Sequence, residues 1–351
     1  MMRCKFPVLI PLIASALLSA SGTLYAATTV DALDRPAVST QLGARSVLLD
    51  VVASKNQLYA VGERGLILKS SDGVKWEQLP SPVSVTLTGI SFHDAQHGYA
   101  IGHGGAILKT INGGQTWQKI WDGRVLANQL LAEAKLWGDE ETIRNRQYLV
   151  DDGPDKPFLD LLQLSADHLV VVGAYGLAFE TKDGGETWQP WMDRIENFFE
   201  AHLYVIKSQA ERILIAGEMG FVALSEDSGK TFRSIETPYE GSFFTAEFLP
   251  DGRILLSGLR GNTFISNDDG DTWEQVFNPI QASIVASTIL KDGHVLLVNQ
   301  AGLILTLTDK ALVTSKHNGF PPLTNIYQTP KGDLLTLSIH GAIPIPKGGL
   351  Q

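Results

Sequence analysis

Apolar and polar positions alternate along this chain in short units, and one unit recurs. An apolar run ends in a small residue, two variable residues and a glycine: VGERG (61–65), IGHGG (101–105), VGAYG (172–176), AGEMG (216–220) and SGLRG (257–261), continued by VNQAG (298–302) and SIHG (338–341). Consecutive closing glycines stand 40, 71, 44, 41, 41 and 39 positions apart. After each of the first five comes a polar, glycine-bearing stretch closed by an aromatic. These are SSDGVKW (70–76), TINGGQTW (110–117), TKDGGETW (181–188), SEDSGKTF (225–232) and SNDDGDTW (266–273), with TDKALVT (308–314) as a decayed copy. An earlier turn in each unit, from SKNQ (54–57) to PKGD (330–333), completes the set. Four short strands per unit follow, here a to d in chain order. A four-stranded unit of about 40 residues is a propeller blade. Seven sets of turns predict an all-β, seven-bladed β-propeller. The last unit supplies only strands a to c, so residues 37–42 are expected to return as its fourth strand, although Pro344 and Pro346 weaken that edge.

The repeated polar stretch joins strands c and d. Asp72, Asn112, Asp183, Asp227 and Asp268 can accept hydrogen bonds from the turn's own backbone, and the glycines supply positive φ. Trp117, Trp188 and Trp273 then pack between blades. The glycines lack the Lys and Ser/Thr of a phosphate loop. The stretch is architecture.

The one long interval holds an insertion at about 124–157, between blades 2 and 3. VLANQLLAEAKLW places Leu126, Leu130, Ala134 and Trp137 on one helical face, and Glu140, Glu141, Arg144 and Arg146 follow on a more polar stretch. As a d–a connection it shares a face with every b–c turn, opposite the Asp-bearing turns. That face collects Arg64, Tyr175, Glu218, Arg260 and His340 from the turns. It also receives Trp191 and Arg194 from WMDRIENFFE (191–200) and Tyr239 from YEGSFF (239–244). Aromatics beside Arg and Glu suit protein recognition, so these eight residues are the candidate partner-binding set. Phe198, Phe199, Phe243 and Phe244 are expected to begin inner strands as core.

Composition narrows the function. Arg3 and Lys5 precede an apolar run over 6–19 and small residues up to Ala26, which reads as a signal peptide over 1–26 and a propeller over 27–351. The run falls short of the roughly 20 residues of a membrane span, and no second such segment follows. The only cysteine, Cys4, lies inside the leader and not at a lipid-attachment position. A periplasmic or secreted protein is expected, without disulfide or cysteine chemistry. A net charge of −10, without basic runs, excludes a nucleic-acid partner. The eight histidines are scattered without metal-ligand spacing, and no nucleophile–base pair stands out, so neither a cofactor, a metal nor a catalytic set is assigned.

The repeat G-x-x-G-x-(I/L)-x-x-(S/T)-x-D-G-G-x-T-W, as in GHGGAILKTINGGQTW (102–117) and GAYGLAFETKDGGETW (173–188), resembles the photosystem II assembly/stability-factor-like family of seven-bladed Asp-box (BNR, sialidase-type repeat) propellers. The resemblance implies a non-catalytic scaffold or assembly factor that binds a protein partner in the envelope, such as a membrane complex or exporter. The insertion is not matched to the photosynthetic members, so the photosystem partner and that family's binding residues are not carried over. The alternative from another class is a sialidase-like glycoside hydrolase or carbohydrate-binding propeller. That chemistry needs three arginines, a Tyr–Glu pair and an Asp acid/base; Arg35 in DRPA (34–37) is a faint echo, and Arg64 and Arg260 sit in opposed turns.

Overall fold

The computed structural model describes residues 30–315 and 319–345. The expected leader with Cys4, as well as His317 and Pro346, lies outside them. One compact unit runs from Asp31 onward. Its described residues form seven antiparallel sheets in meander order, six of four strands and the last of three. The inner strands are Leu48–Ser54, Leu87–Phe92, Phe158–Gln163, Leu203–Gln209, Phe243–Phe248, Ile284–Ile289 and Leu323–Gln328. The next strand of each blade is buried along its whole length, as in Leu169–Gly173, or along all but its first residue, as in Arg212–Gly217, because neighbouring blades cover both faces.

The core is divided among the blade interfaces. Seven apolar clusters occupy them, one for each adjacent pair, including Leu48, Val51 and Leu58 of blade 1 with Leu335 and Leu337 of blade 7. The ring is therefore closed.

It is not closed by the expected strand. Residues 37–42 bind blade 1 instead: Ala37 N donates to Ser81 O (3.0 Å), Thr40 N to Gln78 Oε1 (2.8 Å), and Gln78 Nε2 to Val38 O (3.0 Å). The last described strand of blade 7 is Gly341–Ile345, where Pro344 has no N–H to offer an outer neighbour. Closure runs along the inner strands. Thr324 Oγ1 donates to Leu48 O (2.5 Å), Asn325 Nδ2 to Leu49 O (3.2 Å) and Asp50 Oδ1 (2.9 Å), and Ala53 N to the Tyr327 hydroxyl (3.2 Å).

The c–d turns repeat one side-chain arrangement. In blade 3, Asp183 Oδ1 accepts from Thr187 N (2.9 Å) and Thr181 Oγ1 (2.8 Å), and Thr181 Oγ1 accepts from Gly185 N (2.9 Å). Asp72, Asp227 and Asp268 do the same in their blades. Asn112 uses its Oδ1 for Thr116 N (3.0 Å) and its Nδ2 for the Thr116 hydroxyl (2.8 Å). Trp117 and Trp188 are buried between blades, and Trp273 is half-buried with Nε1 on Glu236 O. Blade 6 keeps only a small turn, with Thr308 Oγ1 on Ala311 O.

The insertion forms α1 (Gly123–Trp137) and α2 (Glu140–Asp152). Asp122 caps α1 through Arg124 N and Val125 N. The same carboxylate meets Lys119 and Arg124, which also grip Asp34, tying the N-terminal segment to the insertion. Leu126 and Leu130 pack on Trp121 and Trp188, whose rings stack at 5.0 Å. No helix among the described residues is long and apolar enough to cross a membrane.

Candidate functional site

All seven b–c turns make one backbone bond. The first turn residue donates to the carbonyl just before its own inner strand: Glu63 to Val47, His103 to Thr86, Ala174 to Pro157, Glu218 to His202, Leu259 to Ser242, Gln300 to Ser283 and Ile339 to Pro322, at 2.8–3.2 Å. The turns and the d–a connections are thus fastened into one rim. Glu63 Oε1 accepts Val47 N (3.0 Å) and Glu218 Oε2 accepts His202 N (3.3 Å), so these carboxylates complete the join. The closing glycine of each turn lies under the next connection. A Cβ on Gly65 would stand 2.0 Å from Val83 O, and one on Gly302 would stand 1.9 Å from Phe320 O.

The position before that glycine is where the rim becomes specific. Arg64, Tyr175, Met219 and Arg260 hold left-handed φ of 55°, 55°, 53° and 56°. Such a conformation costs a non-glycine residue roughly 1–2 kcal/mol, and blade 2 uses Gly104 there. All four side chains are exposed. The Arg64 and Arg260 guanidinium groups make no ion pair among the described residues. The same left-handed φ recurs at Lys55, Ala210, Ser228 and Asp269 in turns of the opposite rim, so what sets this rim apart is the guanidinium, aromatic and thioether side chains that it displays at one equivalent position.

The other candidate residues divide. Tyr175 stands edge-on to His202 (4.8 Å between ring centroids), with Lys156 Nζ 5.4 Å from its ring, and His340 is exposed. Trp191 and Arg194 do not present themselves on the rim, and Tyr239 lies in it half-buried. Trp191 is fully buried, with Nε1 on Glu180 Oε2 (3.1 Å), and fills the gap against Gly229 of the next blade. Arg194 lies 5.3 Å over the Trp191 ring and donates to Gly229 O (3.2 Å). Burial pushes the Glu180 carboxyl up, but Trp191, His168 and Lys182 outweigh it and hold it below its usual range. Tyr239 packs on Phe243 and Phe264 and donates to Leu259 O (3.0 Å). Trp191 and Arg194 are wall residues because a connection starts at the outer edge of a blade, where a large side chain fills the space beside the next one, whereas Tyr239 braces the b–c turn of blade 5 from within the rim.

Phe198 and Phe199, expected as core, are 86% and 87% exposed. The inner strand starts only at Leu203, so both belong to the connection. Asn197 clamps their loop, with Nδ2 on Ala201 O and Oδ1 accepting Ala201 N, both at 2.9 Å. Trp137 also departs from its expected place on the buried helical face. It is 88% exposed, one turn beyond Ala134, the last buried residue of α1. Phe243 is core as expected, and Phe244 is half-buried.

The central channel is lined by the inner strands, and each carries a register irregularity at its second residue. Such a bulge re-aims a side chain. It leaves Leu49, Thr88, Leu159, Tyr204, Phe244, Val285 and Thr324 half-buried behind fully buried neighbours, and Tyr204 meets Phe244 at 5.2 Å. Deeper down, Asp50 and Asp160 bridge inner strands that share no backbone ladder, through Ile90 N and Ile206 N (both 2.9 Å). Burial pushes the Asp50 carboxyl up to about 7 against its backbone donors, and raises Asp160 and Glu247. Glu247 in turn holds the Lys207 ammonium above its usual range. No arginine stands on an inner strand. The channel charges act as cross-blade ties, and no His/Cys/Asp/Glu cluster among the described residues could hold a metal.

Residues 68–150 and 140–240 match the model of a family described as photosynthesis system II assembly factor YCF48. No curated protein matches the chain. Among solved structures, YCF48 from Cyanidioschyzon merolae aligns at a TM-score of 0.64 and 16% identity over 85% of this chain and 95% of its own. YCF48 bound to D1 peptide aligns at 0.65 and 18% identity, over 88% and 97%. A streptogramin B lyase reaches 0.66 at 10% identity, over 89% and 98%. At such identities the likeness is one of fold, shared by assembly factors and an enzyme, so function must be read from the site.

Proposed function

We propose, for a chain that belongs to the photosystem II assembly factor-like family of seven-bladed propellers, that it is an exported, non-catalytic scaffold. It docks a protein partner on the rim that carries the b–c turns and the helical insertion, and the partner is a component of the envelope, a membrane complex or an exporter. One observation carries this reading. Four b–c turns hold Arg64, Tyr175, Met219 and Arg260 in a conformation that favours glycine, with their side chains exposed on that rim. The D1 peptide bound to a YCF48 supports a protein partner for this fold. The leader supports export to the periplasm or beyond. The inner strands, without an arginine, do not supply a sialidase-type site.

The test is photo-crosslinking in intact cells. A photoreactive residue replaces Trp137, Arg260 or Ile339 on the proposed rim, or Val74 or Ile111 on the opposite one, the latter two being exposed at 64% and 65%. Discrete adducts to an envelope protein are expected from the first group only. Equal adducts from both rims, or none from the first, would sink the reading.

A further inference from the structure

The rim arginines without an ion pair among the described residues lie in blades 1 and 5, yet the two most exposed phenylalanines, Phe198 and Phe199, lie in the connection leading to blade 4, whose b–c turn carries the exposed Met219. Phe198, Phe199 and Met219 surround a groove of about 210 Å³, whose lining also includes Ala201 and Phe221. The volume exceeds the roughly 150 Å³ that holds a benzene ring and falls below the roughly 300 Å³ of an ordinary small-molecule site. It suits one bulky side chain of a partner. The loop is held open-handed by Asn197, so the two phenylalanines are presented without an ordering cost at binding.

The charge around this groove has one sign. Glu196 and Glu218 line it, no Lys or Arg does, and Glu200 follows the two phenylalanines at a left-handed φ of 51°. The Glu196 and Glu200 carboxylates make no ion pair among the described residues, and Glu218 meets only His202, at 3.7 Å. An acidic or neutral apolar partner would leave these carboxylates beside it without a counter-charge. A partner that carries Lys or Arg on both sides of its apolar residue would pair them and be steered by the chain's net charge of −10.

We propose that the Phe198–Phe199–Met219 groove, with Glu196, Glu200 and Glu218, receives a basic amphipathic segment of the partner protein, its bulky apolar side chain in the groove and its cations on the rim carboxylates. This rests on the docking function proposed above and names the chemistry that one blade of the rim recognises. It follows the groove-filling mode by which an amphipathic segment lays its apolar face down.

The probes are two synthetic 18-residue amphipathic peptides, one of Leu and Lys and the other with every Lys replaced by Glu. Both are titrated by fluorescence anisotropy against the full-length protein. The Leu/Lys peptide should bind, and the Leu/Glu peptide should not. Phe198→Ser/Phe199→Ser, in a loop that buries neither ring, should weaken binding at least tenfold. Glu196→Gln/Glu200→Gln should weaken it several-fold and flatten its salt dependence. Ile111→Ser, on the opposite rim, should change nothing. Absence of Leu/Lys binding, equal binding of the Leu/Glu peptide, or full affinity in the serine variant overturns the inference. In cells, adducts from Arg260 and Ile339 that persist in the serine variant would place the partner elsewhere on the rim and overturn this inference alone. Loss of all rim adducts in the otherwise wild-type protein would overturn the docking function itself.

Discussion

The c–d turns and the b–c turns repeat on opposite rims, but different things are repeated. On the c–d side the side chains recur: a Ser or Thr, an Asp or Asn, a glycine and an aromatic, in the same hydrogen-bond pattern blade after blade. On the b–c side only the backbone recurs. One N–H to C=O bond and one glycine are common to all seven turns, the position before the glycine is free to differ, and of the residues before that only Glu63 and Glu218 add a carboxylate to the join. Repetition of side chains shows that they hold the turn itself together. Variation on a fixed backbone shows which side chains the fold does not need, and these are the ones left for recognition.

The sharpest way to break this comparison lies within a single turn. Gly65 is required by geometry, since its φ is 75° and a Cβ would stand 2.0 Å from Val83 O. Gly65→Ala should destabilise the protein by roughly 3 kcal/mol, from left-handed strain together with a forced shift of the connection. Thermal or urea unfolding reads this directly. A loss below about 1 kcal/mol would mean that the connection yields, and that the fixed backbone of this rim is less fixed than its geometry implies.

The c–d side gives a smaller effect with a pH signature. Hydrogen bonds from Thr187 hold the Asp183 carboxyl down at about 2, below its ordinary value of 3.8. The unfolded chain therefore takes up this proton first as pH falls. The bonds' contribution is complete above about pH 5 and disappears as pH drops through 4 towards 2. Asp183→Ala should cost about 1–2 kcal/mol at neutral pH. Asp183→Asn should copy the Asn112 turn of blade 2, keep most of the stability and flatten its acid dependence. Urea midpoints across that pH range check both. An unchanged acid slope in the asparagine variant would show that the carboxylate is not what the turn relies on.

The repeats made the blade count readable because turn chemistry is local: an Asp, a glycine and an aromatic at fixed offsets need no tertiary information. The insertion was readable for the same reason, through its helical period and the single irregular interval. What local pattern could not supply was the depth at which a connection runs. Trp191 and Phe199 lie eight positions apart in one segment, yet the first is fully buried and the second 87% exposed. Residue type favoured the reverse for neither, and only the packing of the next blade against Trp191 decides it. The signal available was Asn197, four residues before Ala201, a spacing that can close a side-chain loop and take Phe198 and Phe199 out of the following strand. Ring closure escaped for a related reason. The ties from Thr324, Asn325 and Tyr327 to blade 1 link residues more than 270 positions apart, beyond any periodic pattern.

The smallest expected effect is the most telling, because its sign differs from that of the others. Arg64 precedes Gly65 in the same turn, is exposed, and holds φ at 55° without a side-chain partner among the described residues. Glycine relieves the left-handed strain there, and the greater freedom it gives the unfolded chain offsets part of that gain. Arg64→Gly should therefore raise stability by about 0.5–1 kcal/mol, whereas alanine at the next position lowers it several times as much. If the rim docks a partner, the same variant should lower the yield of rim adducts. A gain in stability with a loss of docking would identify Arg64 as a residue retained against the preference of its own backbone. Stability that falls instead would mean that the guanidinium supports the turn, and the division between a structural glycine and a displayed arginine would not hold.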